Sequence, residues 1–170
     1  MKRKRLILLG LAVTLLTFAP ARNSSARARR LRCSDIRVTS PDLTSNKKGR
    51  KGKKSEKRNR GRFSAGQILD LELEVRLPVK QFREQHVGRH KVELKLYTPS
   101  GNLYQTLVLP FVVDAPEKAR KNRYLSTSAM LPVAGTSIVT SSLYGEWTIL
   151  GYIDRATKSC GKPKRIKLNP

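Results

Sequence analysis

The sequence predicts an all-β fold, an antiparallel β-sandwich of seven to eight short strands interrupted by a disordered basic loop. Three observations predict it. Apolar residues recur at every second position across residues 67–77, 90–97 and 146–154, the period of a strand with one buried face. Turn signals rich in Pro and Gly separate these runs, and no segment has the 3.6-residue period of an amphipathic helix.

The first 21 residues stand apart from that pattern. Met1 to Arg5 is basic, Leu6 to Phe18 is apolar, and Ala19-Pro20-Ala21 places small residues at the A-x-A positions. This is the layout of a secretory signal peptide cleaved before Arg22. Thirteen apolar residues fall short of the roughly 20 that a spanning helix needs, which argues against a retained anchor. Cys33 follows Leu31-Arg32 well inside the mature chain, so it is not placed for lipidation. The expected location is periplasmic or extracellular. Residues 22–32 (RNSSARARRLR) are polar and basic and read as a flexible leader, with the β-sandwich domain spanning 33–170. Asn23-Ser24-Ser25 fits a glycosylation sequon and Arg27 to Arg30 a dibasic processing site, but both matter only in a eukaryotic secretory route.

Ile36 and Val38 alternate in a first strand over 35–39, which ends at Ser40-Pro41-Asp42 because Pro41 offers no ladder donor. The basic tract follows, read as a disordered loop over 44–62. It has three glycines and no large apolar residue before Phe63, too little apolar surface to offset the cost of ordering. The second strand, 67–77, sets Leu69, Leu71, Leu73, Val75 and Leu77 on one face against Asp70, Glu72, Glu74 and Arg76 on the other. In 90–97, Val92, Leu94 and Leu96 oppose Lys91, Glu93 and Lys95. Thr98-Pro99-Ser100-Gly101 is a turn with Pro and Gly where a hairpin wants them, so 102–113 should return antiparallel, with a break or an edge at Pro110. Residues 115–122 are a charged surface connection. Tyr124 to Val133 is a strand with Leu125, Met130 and Leu131 as core candidates. In 146–154, Trp147, Ile149, Gly151 and Ile153 share a face, which makes Trp147 a core side chain between two sheets. Ile166 and Leu168 mark the closing strand after Gly161 and Pro163.

The chain resembles bacterial members of the immunoglobulin-like superfamily, in the loose style of macroglobulin and filamin-type modules. The residues that carry the likeness are the strand from Leu69 to Leu77, the hairpin from Val92 to Gly101, and Tyr144 to Ile149 before Tyr152 and Asp154. In antibody-type domains a disulfide joins the sheets across a central Trp, whereas the two cysteines here lie toward the chain ends. The resemblance implies a binding or structural module rather than a particular activity.

Cys33 and Cys160 are expected to pair in an oxidising compartment and clip the first and last strands together; free thiols or an intermolecular bridge are the competing readings. Neither has the C-x-x-C spacing of a redox or zinc site. No cofactor is implied, and catalysis finds no support. His86 and His90 have metal-ligand spacing on a helix, but they flank a loop among Arg83, Arg89 and Lys91, which repel a cation. No nucleophile elbow, zincin motif or phosphate-binding Gly loop occurs. Ser126, Ser128, Ser137, Ser141 and Ser142 read as strand and loop hydroxyls, and Asp70, Glu72 and Glu74 as surface ion-pairing groups.

Charge is the feature with a stated mechanism. The formal net charge is +24, and about +20 remains without the signal peptide. Lys47, Lys48, Arg50, Lys51, Lys53, Lys54, Lys57, Arg58, Arg60 and Arg62 face only Glu56 in the tract. Such a run attracts phosphate or sulfate groups, Arg in bidentate fashion and Lys as a point charge, with counterion release and steep salt dependence. For an exported protein the candidate partners are lipopolysaccharide, acidic polysaccharide, anionic lipid and extracellular DNA. No aromatic residue interrupts the tract, so DNA would be held by its backbone. A signal peptide conflicts with nuclear localisation, the usual meaning of such a run. The alternatives are a loop that serves only solubility, and a module that recognises another envelope protein through a sheet edge or Tyr97, Tyr104, Tyr124 and Tyr152.

Overall fold

The computed structural model describes residues 30–45, 61–114 and 123–170. The expected signal peptide, leader residues 22–29, residues 46–60 of the expected disordered loop and the connection 115–122 lie outside the described residues, while residues 44–45 of that loop belong to a short helix and Arg62 to a strand. The described chain forms eight strands: β1 (Asp35–Thr39), β2 (Arg62–Ser64), β3 (Asp70–Pro78), β4 (Gly88–Tyr97), β5 (Leu103–Val113), β6 (Tyr124–Pro132), β7 (Gly145–Ile153) and β8 (Lys164–Asn169). Two short helices, α1 (Pro41–Ser45) and α2 (Ser137–Thr140), cap connections.

The strands pack as two sheets, one of three strands in the order β1-β3-β6 and one of five in the order β2-β8-β7-β4-β5. This is the two-layer architecture of the immunoglobulin-like class. The alternating runs read from the sequence are its centre. Leu71, Leu73, Val75 and Leu77 of β3 face Val92, Leu94 and Leu96 of β4, all fully buried, with Trp147 and Ile149 of β7 beside them. Burying a polar N–H needs a partner; the Trp147 indole donates to the Leu143 carbonyl at 2.9 Å, and Tyr104 meets the ring edge-on at 5.1 Å between centroids.

The hairpin forms as expected. Gly101 N–H donates to the Thr98 carbonyl at 2.9 Å, and β5 returns antiparallel along β4. Pro110 lies on an edge strand, which runs through it unbroken; its carbonyl accepts the Thr127 hydroxyl of β6 at 2.8 Å.

Four details depart from the sequence reading. Leu69 is 62% exposed and outside β3, because a bend at 68–69 turns Ile68 inward in its place. The Leu69 N–H donates to the Asp42 carboxylate and its carbonyl accepts from Val133 and Ala134, so backbone bonding fixes that bend. Met130 is likewise outward on β6, its neighbour Leu131 taking the core position. The sheet is not wholly antiparallel, since β2 runs parallel to β8 with Phe63 beside Leu168. The folded part also begins before Cys33: Leu31 is buried against the core.

Candidate functional site: a basic cleft at the disulfide

Three connections converge at one end of the sandwich, each arriving with cations. The chain entering β1 brings Arg30 and Arg32, the β3–β4 connection brings Lys80 and Arg83, and the β7–β8 connection brings Lys158 and Lys162, with Lys164 at the start of β8. They line an open cleft of about 1560 Å³ with Asp35 as its one acidic residue. Asp35 is already engaged by Arg37 at 3.4 Å. None of the seven cations forms an ion pair among the described residues.

Covalent and hydrogen bonds tie the three walls. Cys33 and Cys160 form the disulfide expected from the sequence, and the Cys33 N–H donates to the Cys160 carbonyl at 2.8 Å. Cys33 precedes β1 of the three-stranded sheet and Cys160 precedes β8 of the five-stranded one, so the bridge joins the sheets at their rim. The Cys160 N–H donates to the Gly151 carbonyl of β7, and a Cβ on Gly151 would lie 2.9 Å from the Cys160 sulfur. A glycine there lets the bridge sit against the strand. On the other side, the Gln81 amide acts as a short piece of strand: its Oε1 accepts from Arg32 N–H at 2.7 Å and its Nε2 donates to the Arg32 carbonyl at 2.9 Å.

Of the two histidines, His86 lines this cleft and His90 bonds to its backbone. His90 Nε2 contacts the His86 carbonyl at 2.8 Å and Nδ1 contacts Asp154 at 2.7 Å, while the ring stacks on Phe111 at 5.2 Å. Burial disfavours the imidazolium, but the Asp154 and carbonyl hydrogen bonds and the Asp154 charge outweigh it, so the His90 pKa is raised. The protonated ring can donate from both nitrogens, which joins the β3–β4 connection to the turn after β7. Asp154 and Arg155 in that turn have positive φ, 48° and 61°. Asp154 is held there by its backbone N–H to the Lys91 carbonyl and by Lys91 N–H to its carboxylate, each 3.1 Å. His86 lines the cleft, and its Nδ1 accepts the Arg83 N–H at 3.0 Å. Burial and the charges of His90 and Arg83 lower its pKa, and because Nδ1 accepts a hydrogen bond the neutral ring carries its proton on Nε2. Both nitrogens of His90 and one of His86 are thus committed to protein partners, not arranged as a metal pair.

Of the sequence-predicted polyanion residues, Arg62 is exposed on β2 beside Lys167 of β8, and the other nine lie outside the described residues. The four tyrosines do not form one surface: Tyr97 and Tyr152 lie on the outer face of the five-stranded sheet, Tyr152 under the Lys95 ammonium at 5.0 Å, whereas Tyr104 packs on Trp147 and Tyr124 is exposed on β6 of the other sheet. The cleft cations themselves carried no linear signal, since the walls are separated by about 50 and 80 residues in the sequence. The Cys33–Cys160 pairing was the available clue, because it brings Arg30 and Arg32 to Lys158, Lys162 and Lys164.

No protein-family model matches the chain, and no curated protein does. Among solved structures the chain is similar to an immunoglobulin-like protein from Pseudomonas aeruginosa, with 9% identity, 82% of this chain and 97% of that chain covered, and a TM-score of 0.36. The sandwich assignment rests on the sheet order and strand registers described above.

Proposed function

We propose that this is an exported, non-enzymatic β-sandwich module that docks on an anionic envelope or extracellular polymer through its cationic loop. The observation that carries the reading is uncompensated charge: ten cations against one acid over residues 47–62. Solubility needs only a modest net charge, and a run this dense exceeds it. The disulfide suits an oxidising compartment, and no helix among the described residues is long and apolar enough to cross a membrane.

The test is a salt titration of binding to lipopolysaccharide, acidic polysaccharide and DNA, using the secreted protein and a variant whose ten tract cations are replaced by glutamine. Sub-micromolar binding to one polymer at roughly 150 mM salt, lost in the variant, is the expected result. Weak binding to all three that disappears near that salt would sink the reading. The second reading, recognition of an envelope protein along a sheet edge, is favoured by β5, an edge strand whose outer face exposes Val108 and Val112. It predicts a protein partner that the tract variant still binds.

A further inference from the structure

We propose that the basic cleft at the disulfide is a second binding site, separate from the tract, for a compact group bearing several phosphates. The inference rests on the anionic-partner reading for its biological setting and on the cleft alone for its chemistry.

Charge density selects the ligand class. Seven cations from three connections surround one acid that is already paired. Bringing like charges together without partners costs electrostatic free energy, and a ligand that neutralises several at once recovers most of it. A phosphate monoester carries up to about two charges and three acceptor oxygens, whereas a uronate carboxylate or a nucleic-acid phosphodiester carries one. Three of the seven are Arg, whose planar fork matches phosphate oxygens in pairs.

The lining decides against two other classes. It contains no Phe, Tyr or Trp, so nucleobases would find no stacking platform. At about 1560 Å³ the cleft exceeds the usual 300–1,000 Å³ of small-molecule pockets, and its polar groups are mostly cations, seven of them against one acid. A hydrated, multiply phosphorylated head group fits that description.

The site is also built rather than incidental. The disulfide and the Gln81 pair hold the entering chain between the other two walls, so the backbone positions that carry the cations are fixed relative to one another. That spares a ligand part of the ordering cost that a mobile basic tail imposes. His86 adds a reporter. Its proton is on Nε2, no hydrogen bond from that atom forms among the described residues, and the residue lines the cleft. Burial first, and then the charges of His90 and Arg83, depress its basicity, so an anion that offsets those charges is expected to raise it.

The experiment uses the secreted protein with inorganic tripolyphosphate as the probe and an oligogalacturonate and a DNA oligonucleotide of matched total charge as competitors. Calorimetry near 150 mM salt is combined with an NMR titration of the His86 ring. Tripolyphosphate should bind at least about tenfold more tightly than either competitor and raise the His86 pKa. Lys80→Gln, Lys158→Gln and Lys162→Gln together should weaken it about tenfold or more while leaving the circular dichroism unchanged. The tract-neutralised variant should retain it. Vesicles with and without phosphatidic acid, read in parallel, tell a lipid head group from a soluble phosphate. Affinity that follows total charge alone, an unmoved His86, or tripolyphosphate binding lost only in the tract variant would each overturn the proposal. Polymer binding that survives tract neutralisation would instead overturn the tract reading and leave the cleft standing.

Discussion

His90 joins two connections with one ring, and its hydrogen bonds set a pH dependence. The folded protein holds the His90 proton more tightly than the unfolded chain does, whose pKa is near the ordinary value of 6.5. Its stabilisation is therefore complete below that value and is lost as pH rises through the higher folded pKa. His86 has the opposite sign: its lowered pKa gives a contribution present above 6.5 and lost as pH falls through the folded value. Asp154 is 43% exposed, so solvent screens the pair. His90→Ala should cost about 1 kcal/mol beyond its packing on Phe111 at about pH 5.5, and that increment should shrink as the pH is raised well above the ordinary value of 6.5. Urea denaturation of both proteins across that pH range measures it. A gap that stays constant would assign His90 to packing alone.

At the scale of the element, β7 carries both the core and the rim of the site. Trp147, Ile149 and Ile153 fill the space between sheets from one face, and Gly151 leaves room on that face for the disulfide. Gly151→Ala puts a methyl group 2.9 Å from the Cys160 sulfur, with Leu94 and Ile36 side chains 3.4 and 3.5 Å away. Overpacking of this kind costs about 1–3 kcal/mol. The melting temperature should fall, and by more in oxidised than in reduced protein, because reduction lets the Cys160 sulfur move away. An equal drop in both states would place the strain elsewhere. β2 shows a different kind of dependence. Its three residues are anchored by Arg62, Phe63 and Ser64 beside β8 and by the Lys167 N–H to the Gly61 carbonyl at 2.6 Å. A strand this short forms because β8 is already in place, not from its own pattern.

For the whole molecule, the disulfide spans 127 residues and joins the two sheets at the cleft end. In the chain-entropy account, closing a loop of that length stabilises by about 4–5 kcal/mol. Cys33→Ser with Cys160→Ser should lower the unfolding free energy by up to that amount, measured by denaturant titration, and should also weaken tripolyphosphate binding in the fraction that stays folded. A loss of stability with cleft affinity intact would show that Gln81 and Leu31 alone position the entering chain. Charge is divided over the described surface as well. The outer face of the three-stranded sheet holds Asp70, Glu72 and Glu74 beside Arg37 and Arg76, while the cleft holds seven cations around Asp35 alone. Glu74 is pushed up by burial, yet the Arg76 and Ser126 hydrogen bonds and the Arg76 and Arg37 charges bring its pKa below the ordinary value.

Period-two alternation determined most of the strands, because a strand with one buried face writes its packing directly into every second residue. The hairpin at Gly101, the core role of Trp147 and the pairing of Cys33 with Cys160 were legible for similarly local or compartmental reasons. Leu69 fits the same pattern and still faces outward because a backbone bend decided its orientation, whereas Met130 is outward because the alternation in β6 gives the core face to its neighbour Leu131. The parallel β2–β8 pair was invisible for want of any local signal in three residues. The cleft belongs wholly to the tertiary structure. Its cations come from three connections far apart in sequence, and only the closure of two sheets by the disulfide, the Gln81 amide and the His90 ring brings them to one end of the molecule.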